Sequence, residues 1–307
     1  MGISFLRGQN SPQHQSEKVR TSMPRGIVTA QRIAMLSMMM LALLAVKKTD
    51  AEMLATDPNY VPHQGLKCLV AAYPDQLQGA EGNTLIWKDG TRMQYDDGRF
   101  KVHEERLTDA DLEDQMFQRY IPGPNYSPLP EDFDPGRARD EEFFRKMYGD
   151  SEAEAKANLV PVRWFGTTVK MTNINGVADQ LQKVADELEV LCTTNPDLRP
   201  FLEASGGTFN WRLIAGTERA STHSFGIAID INVANGNYWR WAEGDNPEPY
   251  VNRVPMEIAE VFEKHGFIWG GKWYHYDTMH FEYRPELLQE GCTATRDDLS
   301  EGPGGWR

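Results

Sequence analysis

Residues 221–232 read STHSFGIAIDIN, and the second half of this stretch alternates between apolar residues and small or polar ones. Isoleucines stand at every second position from Ile227 to Ile231, which predicts a strand with one apolar face. The opposite face holds small or polar residues and one carboxylate, Asp230. A buried carboxylate is costly unless it is paired or binds a metal, so Asp230 needs a partner in addition to His223.

A second predicted strand supplies this partner. It lies in YHYDTMHFEY, residues 274–283, where His280 and Glu282 share one face. If the two strands are neighbours, His280 can meet both His223 and Asp230. Two neutral imidazoles and one carboxylate form a three-ligand zinc site with an open fourth position, where zinc lowers the pKa of bound water to roughly 7. The pattern therefore predicts one Zn²⁺ ion as cofactor.

Other polar residues near the two strands are candidates for the chemistry of a hydrolase. Asp277 lies three residues before His280, so we expect it beside the metal as the general base. Arg212 and Arg219 lie just upstream of the first strand, and one of them is expected to bind a substrate carboxylate or the developing oxyanion. His275 is predicted to support the site or the core rather than to bind the metal.

The composition is that of an ordinary globular protein. The chain has 307 residues, of which 40% are hydrophobic and 25% charged, so it can bury a core in one large domain or two smaller ones. The formal net charge is −13. Because general nucleic-acid binders usually carry a basic face, this charge argues against a nucleic-acid partner.

The second half of the chain predicts an α+β fold. Apolar residues at helical spacing predict helices in residues 176–191 and 254–266, where Pro255 suits a first turn and Gly266 a C-terminal cap. Strand-like stretches lie between and after these helices, at residues 209–216, 226–232 and 279–284. We therefore expect a mostly antiparallel sheet with flanking helices.

The preceding stretch, residues 69–165, is predicted to be an accessory region. Leu85–Lys88 and Thr91–Tyr95 flank an Asp-Gly turn and predict a hairpin. The Pro-rich residues 121–137 predict a loop. HEERL, which begins at residue 103, starts like a zinc-protease motif, but a leucine stands where the second histidine must be, so we reject the motif.

The N-terminal pattern is typical of a targeting segment. Two arginines precede an apolar run from Ile33 to Val46, which is shorter than the roughly 20 residues that a membrane span needs. We interpret residues 1–51 as an N-terminal extension with a secretory signal or anchor, and predict export to the periplasm or cell envelope. Membrane contact is expected only through an uncleaved segment, and the alternative is a cytosolic helix. Residues 293–307 are predicted to be a C-terminal tail.

The chain has three cysteines, Cys68, Cys192 and Cys292, whose spacing matches no zinc-finger pattern. Exported proteins can form disulfides, and Cys192 with Cys292 is the pair that we favour, because these two flank the region of the two motifs. The alternative is that the cysteines are buried free thiols.

The two motifs resemble those of a known peptidase family. STHSFGIAIDIN matches the S-x-H-x-x-G-x-A-x-D pattern of the M15 metallopeptidases, the family of D-Ala-D-Ala carboxypeptidases and L-Ala-D-Glu endopeptidases. DTMHFEYRPELL, residues 277–288, is similar to the second motif of the endopeptidase-like subgroup. The resemblance covers roughly residues 170–290. It implies a hedgehog- or D-Ala-D-Ala-peptidase-like fold for a zinc peptidase domain, which we place at residues 166–292.

The resemblance also implies roles for individual residues. It implies the zinc ligands His223, Asp230 and His280. Asp277 would be the catalytic base, Ser221 and Arg212 would contact substrate, and peptidoglycan stem peptides would be the substrates. An aromatic insertion at residues 235–250 lies near the site in sequence. Its aromatic residues either line a cleft or are ordinary packing; they are Tyr238, Trp239 and Trp241.

Three hypotheses of function follow. The first is a zinc peptidase that hydrolyses peptidoglycan stem peptides as an L-Ala-D-Glu endopeptidase or a D-Ala-D-Ala carboxypeptidase, with the endopeptidase slightly favoured. The second is a catalytically silent, zinc-containing module that binds the cell wall. The third is an envelope protein in which zinc only stabilises the fold. The presence of Asp277 beside His280 argues against the second hypothesis, and an open fourth ligand position argues against the third.

Overall fold

The computed structural model describes residues 63–124, 129–241 and 247–294. The predicted N-terminal extension lies outside these ranges, as does most of the predicted C-terminal tail. Within the described residues the helices are α1 (Gln64–Ala72), α2 (His103–Thr108), α3 (Leu112–Phe117), α4 (Glu141–Tyr148), α5 (Glu152–Ala157), α6 (Val177–Thr194), α7 (Arg199–Leu202) and α8 (Met256–Lys264). None of the described helices has both the length and the apolar character that crossing a membrane requires.

The strands form three small antiparallel sheets. They are β1 (Leu77–Glu81), β2 (Thr84–Trp87), β3 (Arg92–Gln94), β4 (Leu159–Trp164), β5 (Thr167–Thr172), β6 (Ala228–Asp230), β7 (Phe267–Trp269) and β8 (His280–Tyr283). One sheet has the order β1-β2-β3, a second is the β4-β5 hairpin, and the third has the order β6-β8-β7. Helices with small antiparallel sheets confirm the predicted α+β class.

The predicted hairpin is present as β2 and β3. Its turn is fixed by Asp89, whose Oδ1 accepts a hydrogen bond from the Thr91 amide at 2.9 Å. Gly90 adopts φ +86°, a left-handed conformation that favours glycine. The Asp-Gly pair therefore does what a tight hairpin turn requires of these two residue types.

Both helices predicted in the second half are present. Helix α6 buries Leu181, Val184 and Leu188 on one face, as the helical spacing indicates. Helix α8 ends before Gly266, which adopts φ +88°. Pro255 stands one position before the helix, at its N-cap, and not in the first turn as expected.

The strand predicted at residues 209–216 is wrong. This segment has only an isolated bridge between Leu213 and Ala220. Its other polar groups bond to a nearby turn: the Arg212 amide donates to Ser224 Oγ at 2.9 Å, and the Ser221 amide donates to the Arg212 carbonyl at 3.0 Å. Because the partner is a short 3₁₀ turn, no ladder can propagate along the segment.

A single hydrophobic cluster joins the predicted accessory region to the predicted peptidase region. It includes Leu69, Phe143 and Met147 as well as Ile229 and Phe281. Polar contacts cross between the same two parts of the chain. The Tyr73 hydroxyl donates to Glu286 at 2.6 Å, and Arg284 Nη1 donates to the Gly136 carbonyl at 2.6 Å. The boundary that we predict after residue 165 falls in the turn of the β4-β5 hairpin.

The disulfide joins Cys68 to Cys292, so the predicted Cys192–Cys292 pair is wrong. Cys192 is buried and free on α6. After β8 the chain returns to α1, where Gln64 Nε2 donates to the Glu290 carbonyl at 3.4 Å. This return brings the Cα atoms of Cys68 and Cys292 to 6.5 Å, which is within the range that a disulfide spans.

Candidate active site

The three predicted ligand side chains converge where β6 ends and β8 begins. The register of β6 and β8 places Asp230 directly opposite His280. His223 reaches them from the 3₁₀ turn Thr222–Phe225, which precedes β6 and closes on Gly226 at φ +66°. Asp230 Oδ1 lies 3.2 Å from His223 Nε2 and 2.9 Å from His280 Nδ1, and these two nitrogens lie 3.3 Å apart.

Hydrogen bonds on the far side of each ring fix which nitrogen faces this centre. His223 Nδ1 lies 2.8 Å from the Thr208 carbonyl, which can only accept, so Nδ1 carries the proton and Nε2 offers its lone pair. His280 Nε2 lies 3.1 Å from Glu282 Oε2, so an Nε2–H donor leaves Nδ1 free to face Asp230. A carboxylate or carbonyl behind a histidine is the usual support of a metal-binding imidazole.

The electrostatics of the trio favour positive charge at this point. Although burial opposes charging, hydrogen bonds with Asp230 and Glu282 raise the pKa of His280 to about 10. Burial likewise opposes ionisation of Asp230, but hydrogen bonds and charge from the two histidines hold its pKa well below the usual range. The three converging acceptor atoms are therefore suited to bind a cation.

The donor set fits a zinc ion. Ligand atoms that lie 2.0–2.1 Å from a tetrahedral ion are roughly 3.3 Å apart, and the three measured separations are 2.9, 3.2 and 3.3 Å. Two imidazole nitrogens and one carboxylate oxygen are also ligand types that zinc prefers. His223, Asp230 and His280 are thus the residues that would hold the metal.

Asp277 lies at the same centre and has an uncommitted oxygen. Its Oδ1 is buried and has no hydrogen-bond partner among the described residues. Burial raises the pKa of Asp277 to about 7, and charge interactions with His280, Asp230 and His223 modify this shift. The backbone is held in place because the Asp277 amide donates to the Gly270 carbonyl at 2.9 Å. A carboxylate of this pKa is suited to accept a proton near neutral pH.

The trio and Asp277 line a cavity of about 330 Å³. All of the predicted substrate-binding residues also line it, although they differ in exposure: Arg212 is exposed, whereas Ser221 and Arg219 are buried. Tyr238 and Trp239 of the aromatic insertion form part of the wall, whereas Trp241 is 58% exposed.

Several residues of this cavity were not expected from the sequence. Arg137, Arg139 and Trp273 line it as well, and the two arginines come from the predicted accessory region. Their only sequence signal is the local density of arginine in GRARDEE, which has no periodicity and reads as an ordinary charged loop. Glu282, which shares a strand face with His280, supports that ring from behind.

A second group of possible ligands, formed by His103, Asp134 and His275, lies beside the cavity. His275 Nδ1 lies 2.6 Å from Asp134 Oδ2, which is a hydrogen-bond distance and shorter than two ligands of one ion normally allow. Arg137 Nη1 also lies 3.2 Å from Asp134 Oδ2, and the Arg137 guanidinium balances the negative charge of that carboxylate. The group is therefore a buried hydrogen-bonded cluster that holds the His275 side chain at the wall of the cavity.

Two histidines and an aspartate around one point, with a free carboxylate beside them in a cavity, define a candidate mononuclear metallohydrolase centre. Comparison with protein families agrees with this class. Residues 215–283 match a family model of M15 peptidases described as D-alanyl-D-alanine carboxypeptidase. Searches of the curated proteins and of the solved structures gave no significant match.

Proposed function

We propose that this protein is a zinc-dependent peptidase that hydrolyses peptidoglycan stem peptides. One observation carries the proposal: three ligand atoms of the types that zinc binds lie 2.9–3.3 Å apart, next to a buried carboxylate oxygen that has no hydrogen-bond partner within the described part of the chain. The family match to a carboxypeptidase model supports peptide hydrolysis in the cell wall. The bond cleaved is the L-Ala-D-Glu bond or the D-Ala-D-Ala bond.

Each residue of the site has a separate proposed role in hydrolysis. When bound, zinc supplies Lewis-acid polarisation of the scissile carbonyl and lowers the pKa of the attacking water. Asp277 accepts the proton of that water at its free oxygen and returns it to the leaving amine. Arg212 and Ser221 face the same cavity, where they would orient the substrate. Thr208 and Glu282 keep the two imidazoles in the tautomers that leave their lone pairs available.

The test is incubation of the zinc-loaded protein with purified muropeptides, followed by mass spectrometry of the products. We expect loss of a terminal D-Ala or cleavage after L-Ala. The Asp277→Asn variant is the matched control, because it keeps the size of the side chain but cannot accept a proton at neutral pH. Muropeptides that bind but remain intact with the unchanged protein would favour the catalytically silent wall-binding module instead.

Metal content tests the ligand assignment separately from turnover. We expect one zinc per chain in the unchanged protein and greatly reduced zinc in His280→Ala, because His280 Nδ1 is one of the three converging atoms. Full zinc occupancy in His280→Ala would remove this residue from the site.

Export is the remaining part of the proposal, since the proposed substrate lies outside the cytoplasm. Cell fractionation should find the protein in the periplasm or envelope, and a purely cytosolic, full-length pool would contradict this.

A further inference from the structure

The cavity that holds the metal ligands is unusually rich in arginine. Five guanidinium groups line it, against the three carboxylates Asp230, Asp277 and Glu282. Three of the arginines form what we call the arginine cluster: Arg137, Arg139 and Arg219. A bound zinc ion would make the cavity still more positive, so these arginines are not needed to balance the charge of the metal site.

Two members of the arginine cluster are buried with incomplete hydrogen bonding. Arg139 and Arg219 are only 6% and 7% exposed. Arg139 Nη2 donates to the Ala220 carbonyl at 2.9 Å, and Arg219 Nη2 donates to the Arg137 carbonyl. In both side chains Nε is buried and has no hydrogen-bond partner among the described residues. A buried donor left unpaired is unfavourable, and more so when the group is charged.

The three guanidinium groups also repel one another. Burial and the charges of Arg139 and Arg137 together lower the pKa of Arg219 to about 9. Burial likewise lowers the pKa of Arg139. Glu141 is a nearby carboxylate that offsets part of this repulsion, but its Oε1 accepts from the Ala220 amide at 3.0 Å and its Oε2 lies 3.5 Å from Arg145 Nε. Glu282 is committed to His280 and Arg284. An additional anion would relieve this repulsion and accept the unpaired donors.

The surroundings indicate on which side such an anion binds. Arg139 and Arg219 also border a second cavity, of about 460 Å³, on the side away from the metal ligands. That cavity is already lined by six carboxylate side chains, those of Asp97, Asp109, Asp111, Asp140, Glu141 and Glu142. An anion is repelled there, whereas the metal-binding cavity offers a surplus of positive charge. Arg137 lines only the metal-binding cavity of these two. Its guanidinium pairs with Asp134 and lies 5.8 Å from the ring of Trp273, which in turn lies 5.7 Å from the ring of His280.

We infer that the arginine cluster is a subsite for a free carboxylate of the substrate, and that the predicted accessory region thereby takes part in substrate selection. The inference rests on the proposed peptidase function, because it assigns the carboxylate to a residue at or near the scissile bond. Arg137 and Arg139 come from the loop before α4, and Arg219 comes from the segment before the first motif. The subsite therefore exists only where these two parts of the chain meet.

The first arm of the test compares three peptides with the zinc-loaded, full-length protein. They are L-Ala-γ-D-Glu-L-Lys-D-Ala-D-Ala, its counterpart with an α-carboxamide on the D-Glu residue, and its counterpart with a C-terminal carboxamide. Since a hydrogen-bonded charge contributes about 1.5–3 kcal/mol, one of the two amides should lower kcat/KM by roughly 10- to 100-fold. The amide that does so identifies which carboxylate the subsite takes. Equal kcat/KM for all three peptides would overturn the inference.

The second arm asks whether the preference depends on the cluster. Arg137→Gln and Arg219→Gln should reduce the ratio of kcat/KM for acid over amide towards one. Arg137→Gln guards against misfolding, because the Arg137 side chain is partly exposed, at 22%. Arg163→Gln is the control, since its guanidinium is 71% exposed on β4 and pairs with Asp186. If both cluster variants lowered the rates for acid and amide peptides by the same factor, the arginines would be structural and the inference wrong.

Failure of the proposed function gives a different result from failure of the subsite. If the unchanged protein hydrolyses none of the three peptides, the proposed function fails, and calorimetric binding of the same peptides decides on the subsite. Binding of the acid at least 10-fold more tightly than one amide, with loss of this difference in Arg137→Gln, would support the subsite. Equal binding of acid and amides, or no binding, would overturn it.

Discussion

Glu282→Gln tests whether the charge of Glu282 strengthens zinc binding by His280. Glu282 is 1% exposed; its Oε2 lies 3.1 Å from His280 Nε2, and its Oε1 lies 3.0 Å from Arg284 Nη1. Although burial opposes ionisation, the hydrogen bond from His280 and the charges of Arg139 and Arg284 hold the pKa of Glu282 well below its usual range. It is therefore an anion that orients the imidazole and increases its basicity.

Removal of this charge should weaken metal binding without removing a ligand. Loss of the group behind a metal-binding histidine typically costs 10- to 100-fold in affinity, which corresponds to about 1.4–2.8 kcal/mol. We expect a zinc Kd higher by this factor for Glu282→Gln, measured by competition with a chelating indicator. At saturating zinc, turnover should return close to that of the unchanged protein, because the glutamine oxygen can still accept from His280.

Glu286→Gln is the matched control. Glu286 is equally buried and accepts from Arg284 Nε at 2.6 Å. Among the described residues its other hydrogen bonds come from Tyr73 and Gln115, and none comes from a predicted metal ligand. The Glu286→Gln variant should have a lower midpoint of thermal unfolding and an unchanged zinc Kd. If Glu282→Gln bound zinc as tightly as the unchanged protein, or if both variants lost affinity equally, the proposed role of Glu282 would be refuted.

Three further predictions concern the base, the pH profile and the disulfide. Asp277→Asn should keep one zinc per chain by metal analysis while kcat falls by roughly 10²–10⁴-fold, the usual contribution of a positioned base. Because burial raises the pKa of Asp277 to about 7 and only the ionised form accepts a proton, kcat/KM measured between pH 5 and 9 should rise with pH and level off above about 7. The Cys68–Cys292 bridge spans 224 positions, for which the chain-entropy relation gives at most about 5 kcal/mol. Urea unfolding of a Cys68→Ser, Cys292→Ser double variant should show most of this loss in the free energy of unfolding.

Each of these predictions has an outcome that contradicts it. Near-normal turnover in Asp277→Asn would make Asp277 a structural carboxylate. A rising limb that persists unchanged in the residual activity of that variant would belong to another group. For the disulfide, Cys192→Ala is the control for loss of a buried sulfur, and a double variant no less stable than this control would show that the bridge contributes little.

The sequence predicts that Asp230 and His280 lie opposite each other, because the alternation along each strand is a local pattern. The alternation around Ile229 and Phe281 fixes two short strands, and antiparallel pairing then brings Asp230 opposite His280. In this pairing Asp230 and His280 lie on the same face of the sheet. The Asp89-Gly90 turn was predictable for the same reason, since its conformation depends on residue types two positions apart.

Other parts of the structure depend on contacts far apart in the sequence, and the sequence did not predict them. Cys68 meets Cys292 only because the chain returns to α1 after β8, and no periodic pattern records that return. Arg137 and Arg139 lie in a loop without regular hydrophobic spacing, so nothing local indicates that they reach the cavity. The strand expected at residues 209–216 failed because its apolar residues lack a partner strand, which propensity alone does not reveal.

The buried pair Arg284 and Glu286 has a consequence for how such proteins can be recombined. Both residues are 0% exposed and follow directly after β8, while their partners Tyr73, Gln115 and Gly136 lie in the first part of the described chain. A fragment limited to the catalytic motifs would keep this ion pair but lose its hydrogen bonds to Tyr73, Gln115 and Gly136, at a cost of about 1–3 kcal/mol for each buried polar group left unpaired. The motifs therefore cannot be transferred to another protein without these contacts. A chimaera that exchanges them must also exchange the residues around Tyr73 and Gly136, or replace Arg284 and Glu286 with an apolar pair.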